Sequence, residues 1–317
     1  MGDYTKLTHD DTQEILSIYG RSGLQELHPL SLGISNSNYK VVTSSGNLLL
    51  KVSNDKNLDE LREEMELLKL LGNKGFQYSL MPYKTKQDEL TYEYGDLYGV
   101  IFPFVDGIPP GPSDQSCFEI GKGLARLHNT ELTTEEFKTL RNHEKVGFGA
   151  KEILAYSKSS SCPQDFKDTF QILFPHQLTW FIDHSWDKGI IHGDLYIDNS
   201  MFSDNQLKVI LDFEQGGIGE FILDLGITIS GCCLEKGQIN QGLVQSLVKG
   251  YQEHRKLTTY ERQNLADSIL LGLMSISLWR IKRFKDKNMN PIMANSYQEL
   301  LLRACCFREQ FKSEPLL

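Results

Sequence analysis

The 317-residue chain carries 33 Lys and Arg residues against 42 Asp and Glu residues, which gives a formal net charge of −9. Its 40% hydrophobic and 24% charged composition is ordinary for a globular protein, and its length suits one large domain or two lobes. The acidic balance argues against nucleic acid or an anionic membrane surface as a partner, since both select positive fields. An anionic nucleotide stays compatible with it, because Mg²⁺ and a few local donors can neutralise phosphates.

The six cysteines include no C-x-x-C pair, so a structural zinc site is not expected. No signal-peptide pattern opens the sequence, and the longest apolar run, residues 268–279, is too short to cross a bilayer. We therefore expect free thiols in a cytoplasmic enzyme that has no membrane partner.

The first predicted elements are a helix and a β-hairpin. Apolar residues share one face of residues 10–19, and Asp10 or Asp11 would cap this helix. Two β-rich runs, 30–42 and 47–52, flank the sequence Thr-Ser-Ser-Gly, which is typical of a turn. The pattern therefore predicts two antiparallel strands near the start of the chain.

A small, polar segment at residues 33–38 precedes the turn of this hairpin. Its backbone could approach phosphate groups closely, and Ser35, Asn36 and Ser37 could donate hydrogen bonds to them. The segment lacks both G-x-G-x-x-G and G-x-x-x-x-G-K-[ST]. Taken alone, it therefore predicts a plain hairpin loop rather than a phosphate site.

Lys51 interrupts an apolar strand, since it follows three leucines and precedes Val52. It is compatible with a solvent-facing lysine and with an ammonium that binds nucleotide phosphates. In the second case a carboxylate should hold it, and helical spacing over residues 58–71 places Glu64 on the buried stripe. A charge there is costly unless it is paired, whereas the other glutamates suit a solvated face.

Two further strands are predicted over residues 90–93 and 97–105, and the composition then changes to Ile-Pro-Pro-Gly-Pro-Ser. We expect a linker here, which divides the chain into an N-terminal lobe, 1–103, and a C-terminal lobe, 104–317. The backbone of Phe104 and Val105 could form hydrogen bonds with an adenine edge. Pro103 has no backbone N–H, so it cannot donate such a bond.

The rest of the chain is mostly helical. His128 ends the first of these helices and is expected to pack or cap rather than to act chemically. The predicted helical stretches are 113–128, 135–157 with breaks at Gly147 and Gly149, 165–188, 222–233, 242–254, 259–286 and 293–311. The stretch between the predicted helices 165–188 and 222–233 carries the residues that are most typical of a catalytic site.

This central stretch holds two apolar runs that end in acidic or amide residues. Residues 190–191 lead into His-Gly-Asp-Leu-Tyr-Ile-Asp-Asn, and residues 209–211 lead into Asp-Phe-Glu. The pattern predicts that the two runs pair as a hairpin with a metal-bound anion at its tips. Asp194, Asn199 and Asp212 supply a carboxylate for an attacking hydroxyl and oxygen ligands for Mg²⁺, as phosphoryl transfer requires. Two ordinary strands with polar ends are the alternative.

These motifs resemble the aminoglycoside phosphotransferase–choline kinase superfamily, the small-molecule relatives of protein kinases. The match covers residues 25–290 and is carried by the segments 121–128, 192–199 and 211–214. It implies an α+β, two-lobed protein-kinase-like fold, with a small antiparallel β-sheet N-terminal lobe, a larger helical C-terminal lobe and ATP in the cleft.

The same resemblance implies a role for each motif residue. Asp194 would be the catalytic base, Asn199 and Asp212 would bind Mg²⁺, and His192 would support the catalytic loop. Lys51 would hold the α- and β-phosphates, and Glu64 would hold Lys51. All these roles are expectations from the family pattern.

Within this superfamily, bacterial homoserine kinase of the kinase-like type has similar segments at residues 33–39, 224–233 and 250–257. We therefore expect an ATP-dependent kinase with a small-molecule hydroxyl acceptor, homoserine being favoured. Its zwitterion needs a carboxylate, for which Glu214 and Glu220 are candidates, and a cation, for which Arg280 and Arg283 are candidates. An aminoglycoside, choline, ethanolamine, hydroxylysine or a sugar are alternatives.

The sequence disfavours two other functional classes. A protein kinase is disfavoured because few residues separate Asp212 from Asp224 and no A-P-E motif is present. Asp224 is instead expected to anchor the catalytic loop. A catalytically dead nucleotide-binding protein is disfavoured because every acid and amide that the reaction needs is present. The sequence does not define an oligomeric state.

Overall fold

The structure, a computed structural model, describes residues 5–30, 36–141, 148–286, 291–311 and 316–317. Ser35 and Gly147, two positions singled out in the sequence, lie outside these ranges. The chain forms two compact units, Met1–Asp106 and Gly107–Leu317, which are described in turn.

The first unit is built on a five-stranded antiparallel sheet in the order β1-β2-β3-β5-β4. Its strands are β1 (Leu24–Leu30), β2 (Asn36–Thr43), β3 (Gly46–Ser53), β4 (Tyr92–Tyr94) and β5 (Leu97–Pro103). Its helices are α1 (His9–Ile18) and α2 (Leu58–Asn73). The predicted hairpin is present, since β2 pairs with β3 in register from Asn36 opposite Ser53 to Thr43 opposite Gly46.

The predicted cap of α1 is wrong. Thr8, not Asp10 or Asp11, is the N-cap residue, and its hydroxyl accepts a hydrogen bond from the Asp11 backbone N–H. The Asp11 carboxylate accepts one in return from the backbone N–H of Thr8. Thr8 and Asp11 therefore form a capping box, in which the third helical residue completes the cap rather than supplying it.

The second unit is mainly helical. Its helices are α3 (Asp114–His128), α4 (Thr134–Arg141), α5 (Ala150–Ser157), α6 (Gln164–Leu173), α7 (Thr179–Ile182), α8 (Phe221–Cys232), α9 (Gln241–Tyr251), α10 (Thr259–Arg280) and α11 (Tyr297–Gln310). Its strands are β6 (Lys188–Ile191), β7 (Ser200–Ser203), β8 (Gln206–Ile210), β9 (Gly217–Glu220), β10 (Leu234–Glu235) and β11 (Gln238–Ile239). A π-helical segment, Ile281–Asp286, extends α10.

Helix α8 forms the centre of this unit, because every residue from Phe221 to Cys232 is buried. A helix that is apolar all round is expected only inside a core. At Gly226 an added Cβ would lie 2.3 Å from the backbone oxygen of Ser268 in α10, so the two helices meet closely at this point. No helix among the described residues is long and apolar enough to cross a membrane.

The predicted helix over residues 165–188 is broken into shorter elements. Helix α6 ends at Leu173, two residues before Pro175, and proline disfavours helical backbone in the residue that precedes it. Gln177 and Leu178 then adopt positive φ angles of 52° and 63°, which end any continuous helix. Lys188, the last residue of the predicted helix, begins strand β6.

The predicted pairing of the central strands is also wrong. Strand β6, which contains Ile190 and Ile191, pairs antiparallel with β9, whereas β8 pairs with β7. The turn between β7 and β8 is the pair Asp204–Asn205, with φ angles of 53° and 59°. Two consecutive left-handed residues make the tight turn that suits neighbouring antiparallel strands, so the local hairpin forms in preference to the distant one.

Candidate active site

A loop follows strand β6 and carries the residues that the sequence singles out. It continues into a short 3₁₀ helix, Ile197–Asn199. Gly193 has a φ of +77°, and a Cβ there would lie 2.5 Å from the backbone oxygen of Gln215. This position therefore requires glycine for its backbone conformation and for the space beside it.

His192 is fully buried and holds the loop from inside. Its Nε2 donates to the backbone oxygen of Leu211 at 2.8 Å, since a carbonyl can only accept. Its Nδ1 then accepts from the backbone N–H of Asp194 at 3.2 Å. The ring thus ties the loop to the end of strand β8, as the supporting role expected for His192 requires.

Asp224, in the first turn of α8, anchors the loop as predicted. Its carboxylate is fully buried and accepts hydrogen bonds from the backbone N–H groups of His192 and Gly193, each at 2.8 Å. Burial tends to raise the pKa of this carboxyl, but the bonds and charges of the two neighbouring histidines and the His192 N–H outweigh it. The net result is a pKa below 3.8, so that Asp224 is an anion at neutral pH.

His128, at the end of α3, is a third partner of Asp224. Its Nε2 lies 2.9 Å from the carboxylate, and its ring stacks on Phe221 at a centroid distance of 4.4 Å. Burial, the largest influence, lowers its pKa below 6.5 although the nearby Asp224 raises it. His128 is therefore a neutral, packed histidine rather than a catalytic one, in agreement with the sequence-based prediction.

The β7–β8 hairpin brings Asn199 and Asp212 to one place. Ser200 lies opposite Ile210, and the backbone N–H of Leu211 donates to the oxygen of Asn199 at 2.8 Å. Asn199 thus lies one residue before the paired Ser200, and Asp212 lies two residues after the paired Ile210. The Asn199 side chain donates its Nδ2 hydrogen to the backbone oxygen of Asp194 at 2.8 Å, so its amide oxygen is the atom that a cation would contact.

Asp212 is exposed and has a left-handed backbone, with φ 55° and ψ 64°. Aspartate tolerates this conformation better than most side chains do, but the conformation still has a cost. Unusual backbone of this kind is enriched at functional sites. A short 3₁₀ helix, Phe213–Gln215, follows directly.

Asp194 lies among other carboxylates. Burial, followed by the charges of Asp198, Asp212 and Glu214, raises its pKa well above 3.8, while the charge of Arg280 acts in the opposite direction. Mutual repulsion of this kind is relieved when a cation binds between the carboxylates. The local donor set, carboxylates and an amide oxygen, is the set that hard cations such as Mg²⁺ prefer.

Within the described residues, no group of three or more His, Cys, Asp or Glu side chains is arranged to hold a metal ion. Mg²⁺ in phosphate-transferring sites is usually bound by one or two carboxylates, with substrate phosphates and water as the other ligands.

In the first unit, Lys51 and Glu64 are both buried, with 6% of each residue exposed. The Lys51 Nζ lies 3.9 Å from Glu64 Oε1. The predicted lysine–glutamate pair is therefore present on β3 and α2. The sequence did not indicate a second lysine, Lys56, whose Nζ lies 2.7 Å from Glu64 Oε2.

We expect Lys56→Met to reduce the free energy of unfolding by about 1–3 kcal/mol, because it removes a charged hydrogen bond from a buried carboxylate. Lys69→Met is the matched control, since Lys69 pairs with exposed Glu66 at 2.9 Å. That loss should stay below about 1 kcal/mol. Denaturant unfolding of both variants tests this, and equal losses would contradict a structural role for Lys56.

The remaining nucleotide candidates in this unit are placed as follows. Asn36 and Ser37 are buried at the start of β2, and the Ser37 hydroxyl oxygen accepts bonds from the Thr5 backbone N–H at 2.9 Å and the Asn54 side chain at 2.8 Å. The Phe104 N–H donates to the Asn47 oxygen at 3.3 Å. Phe104 and Val105 are both half-buried. Phosphate and adenine contacts at these positions stay predictions.

The acceptor candidates lie at different depths in the second unit. Glu214 is half-buried beside the 3₁₀ turn after Asp212. Arg280 donates to the backbone oxygen of Ser296 at 2.9 Å, and its charge acts on Asp194. Arg283 lies on the π-helical segment, 5.0 Å from the Trp279 ring centre, and burial lowers its pKa. Of these three candidates, Glu214 and Arg280 carry charges that shift the pKa of Asp194, the first upward and the second downward.

Residues 26–257 match the model of the phosphotransferase enzyme family, APH. The chain belongs to this family. The loop that carries Asp194 and the hairpin that carries Asn199 and Asp212 both lie within the matched residues. The prediction that the protein is a phosphotransferase is thereby confirmed.

Relatives with assigned names include homoserine kinases. The homoserine kinase of Rhodopseudomonas palustris is 28% identical over 275 residues, which cover 84% of this chain and 81% of the relative. That of Agrobacterium fabrum is 27% identical over 272 residues, or 84% and 82% of the two chains. The match thus spans most of both proteins.

Solved structures share the fold at low identity. Spectinomycin phosphotransferase in complex with ADP and spectinomycin has a TM-score of 0.66 at 12% identity, covering 96% of this chain and 100% of the other. Amicoumacin kinase in complex with AMP-PNP and Ca²⁺ has a TM-score of 0.68 at 14% identity, covering 94% of each chain. The predicted α+β, kinase-like fold is confirmed.

Proposed function

We propose that the protein transfers the γ-phosphate of ATP to the hydroxyl group of homoserine. The observation that carries this proposal is the grouping of Asp194, Asn199 and Asp212 by one loop and one hairpin. The names of the relatives support homoserine as the acceptor. The proposal deepens the family assignment, which defines the reaction but not the hydroxyl.

Asp194 acts as the base in this proposal and accepts the proton of the attacking hydroxyl. Its backbone N–H and C=O are held by His192 and Asn199, which fixes the main chain that carries the carboxylate. Asn199 and Asp212 would hold Mg²⁺. When bound, the ion draws negative charge from the phosphates and from the surrounding carboxylates. Positioning and charge stabilisation are the main needs of this reaction.

Lys51 binds the nucleotide phosphates, and Glu64 holds it. Lys56 shares the Glu64 carboxylate, so two ammonium groups lie beside one buried carboxylate. Ammonium groups attract an anion such as a polyphosphate. Asn36 and Ser37, with Ser35 before them in the sequence, would donate hydrogen bonds to the phosphates. The Phe104 N–H is bonded to Asn47, which favours the Val105 backbone for the adenine contact.

The acidic surroundings of Asp194 favour an acceptor that carries a positive charge. Glu214 would meet the ammonium of homoserine, and Arg280 would meet its carboxylate. Arg283 is the second cation candidate, but its side chain stacks on Trp279. The ammonium and the carboxylate of homoserine thus have different proposed partners. Each of these two contacts can therefore be tested separately.

An ADP-release assay across hydroxyl compounds tests the proposal. The panel contains homoserine, choline, ethanolamine, hydroxylysine, an aminoglycoside and a sugar. It also contains 3-aminopropan-1-ol, which lacks the carboxylate of homoserine, and 4-hydroxybutanoate, which lacks the ammonium. We expect the highest kcat/KM with homoserine, and no turnover when the divalent cation is removed by a chelator.

Arg280→Met links the assay to the site. We expect it to lower kcat/KM for homoserine about tenfold or more, because the homoserine carboxylate loses its cationic partner. The kcat/KM for 3-aminopropan-1-ol should stay nearly the same, because this compound has no carboxylate. A preferred substrate without a carboxylate would overturn the homoserine assignment. It would leave the phosphotransferase assignment standing.

A further inference from the structure

A buried hydrogen-bond chain extends from the catalytic loop to the helix α9. Asp224 binds the loop and also accepts a bond from His128. On the other side of the imidazole, His128 Nδ1 lies 2.6 Å from the Tyr251 hydroxyl. Tyr251 is the last residue of α9 and belongs to the Gly-Tyr-Gln-Glu-His-Arg-Lys-Leu segment, which has no role in the proposed reaction.

The direction of each bond in this chain follows from its ends. The Asp224 carboxylate can only accept, so His128 Nε2 carries the hydrogen. His128 Nδ1 then has a lone pair and must accept from the Tyr251 hydroxyl. Burial raises the pKa of Tyr251, which keeps the hydroxyl protonated and therefore able to donate. Tyr251, His128 and Asp224 are all at least 96% buried, so water does not compete for these bonds.

Arg255 supports the outer end of the chain. Its Nη1 donates to the Tyr251 hydroxyl oxygen at 3.3 Å. Its Nη2 donates to Glu261 at 2.7 Å and to Asp187 at 2.8 Å, and only 10% of the Arg255 side chain is exposed. The guanidinium lies 5.0 Å from the Phe221 ring centre, on the ring that stacks against His128. The tyrosine hydroxyl is thus oriented from outside by a fixed donor.

We propose that Tyr251 is a positioning residue for the catalytic loop. Its hydroxyl holds His128 in the Nε2–H form, and His128 holds the Asp224 carboxylate. Asp224 in turn fixes the backbone N–H groups of His192 and Gly193, next to Asp194. The effect on turnover rests on the proposed function, whereas the effect on the loop backbone does not.

Tyr251→Phe is the test, because it removes the hydroxyl and keeps the ring that packs against His128. Tyr260→Phe is the matched control, since its hydroxyl donates to the Trp180 backbone oxygen at 3.2 Å, outside this chain of bonds. Hydrogen exchange of the His192 and Gly193 amides is measured first. We expect Tyr251→Phe to accelerate it about tenfold, while core amides of α8 and α10 change less.

The second readout is steady-state kinetics. We expect Tyr251→Phe to lower kcat about tenfold, while the KM values for ATP and for the acceptor stay within about twofold of those of the wild type. The reason is that the substrates still bind but the base is misplaced. Tyr260→Phe should change neither readout. Unchanged exchange at His192 and Gly193 would overturn the proposal, and so would equal acceleration throughout the core, since that indicates a merely structural role.

The imidazole tautomer gives a measurement on the unaltered protein. Nitrogen-15 shifts of the His128 ring should show a protonated Nε2 and an accepting Nδ1. A ring with hydrogen on Nδ1 would overturn the proposal, even if Tyr251→Phe failed to fold. Failure of the acceptor assay with normal exchange and tautomer results would count against the proposed function and not against the positioning role.

Discussion

Asp194→Asn is expected to lower kcat by about 10²- to 10⁴-fold, the usual contribution of a general base. The amide keeps the shape of the side chain but cannot take the proton of the attacking hydroxyl. Stability should not fall with activity, because burial and the Asp198, Asp212 and Glu214 charges already disfavour the ionised carboxylate. Removing that charge is therefore expected to leave the melting temperature equal or higher. Steady-state kinetics measure the loss of kcat, and thermal unfolding of the same sample measures the melting temperature.

Asp198→Asn is the control for this variant, since Asp198 is an exposed carboxylate in the same loop. We expect a change in kcat of no more than a few-fold. Similar losses of kcat in the two variants would mean that the negative charge of the loop, rather than proton transfer at Asp194, accounts for the effect on the rate. A large loss of stability in Asp194→Asn would make its kinetic effect uninformative about base catalysis.

Asp224→Ala is expected to destabilise the protein by about 3–5 kcal/mol, because three buried donors lose their acceptor together. The pKa of Asp224 is lowered in the folded state, so its stabilisation is complete above about pH 3.8. It is lost as the pH falls through the lower, folded pKa. Denaturant unfolding at neutral pH and in acid should therefore show a smaller difference between the two proteins in acid.

Asp165→Ala provides the comparison for Asp224→Ala. The Asp165 carboxylate also accepts several bonds, from Tyr297 at 3.0 Å and Gln298 at 2.7 Å, but it is only half-buried. Water can replace Asp165 as a partner, so a loss near 1 kcal/mol is expected. Equal losses in the two variants would contradict the anchoring role of Asp224.

The sequence was sufficient to predict the buried position of Glu64 and the group of polar residues around Asp194. Both predictions depend on local spacing: the helical period places Glu64 beside Leu68 and Leu71, and the H-x-D-x-x-x-x-N spacing is contained in one loop. Local patterns of this kind survive folding, because the residues concerned share one element.

The features that the sequence did not predict depend on distant partners. Lys56 lies in a loop outside any periodic pattern, so nothing marked it as a partner of Glu64. The bond between His128 and Tyr251 joins residues 123 positions apart. The strand pairing differs from the prediction because Asp204 and Asn205 form a tight turn between β7 and β8, whereas the prediction depends on the more apolar runs. Turn chemistry was the available signal there.

Phosphorus-31 NMR of the reaction mixture is the most direct test of phosphate transfer to a hydroxyl through Asp194. With Mg²⁺, ATP and homoserine, the wild-type protein should form a phosphate monoester in equal amount to ADP. Asp194→Asn should form it at least about 100-fold more slowly. The absence of a phosphate monoester with homoserine and with every other hydroxyl compound of the panel would contradict the transfer. A normal rate in Asp194→Asn would contradict the role of the base.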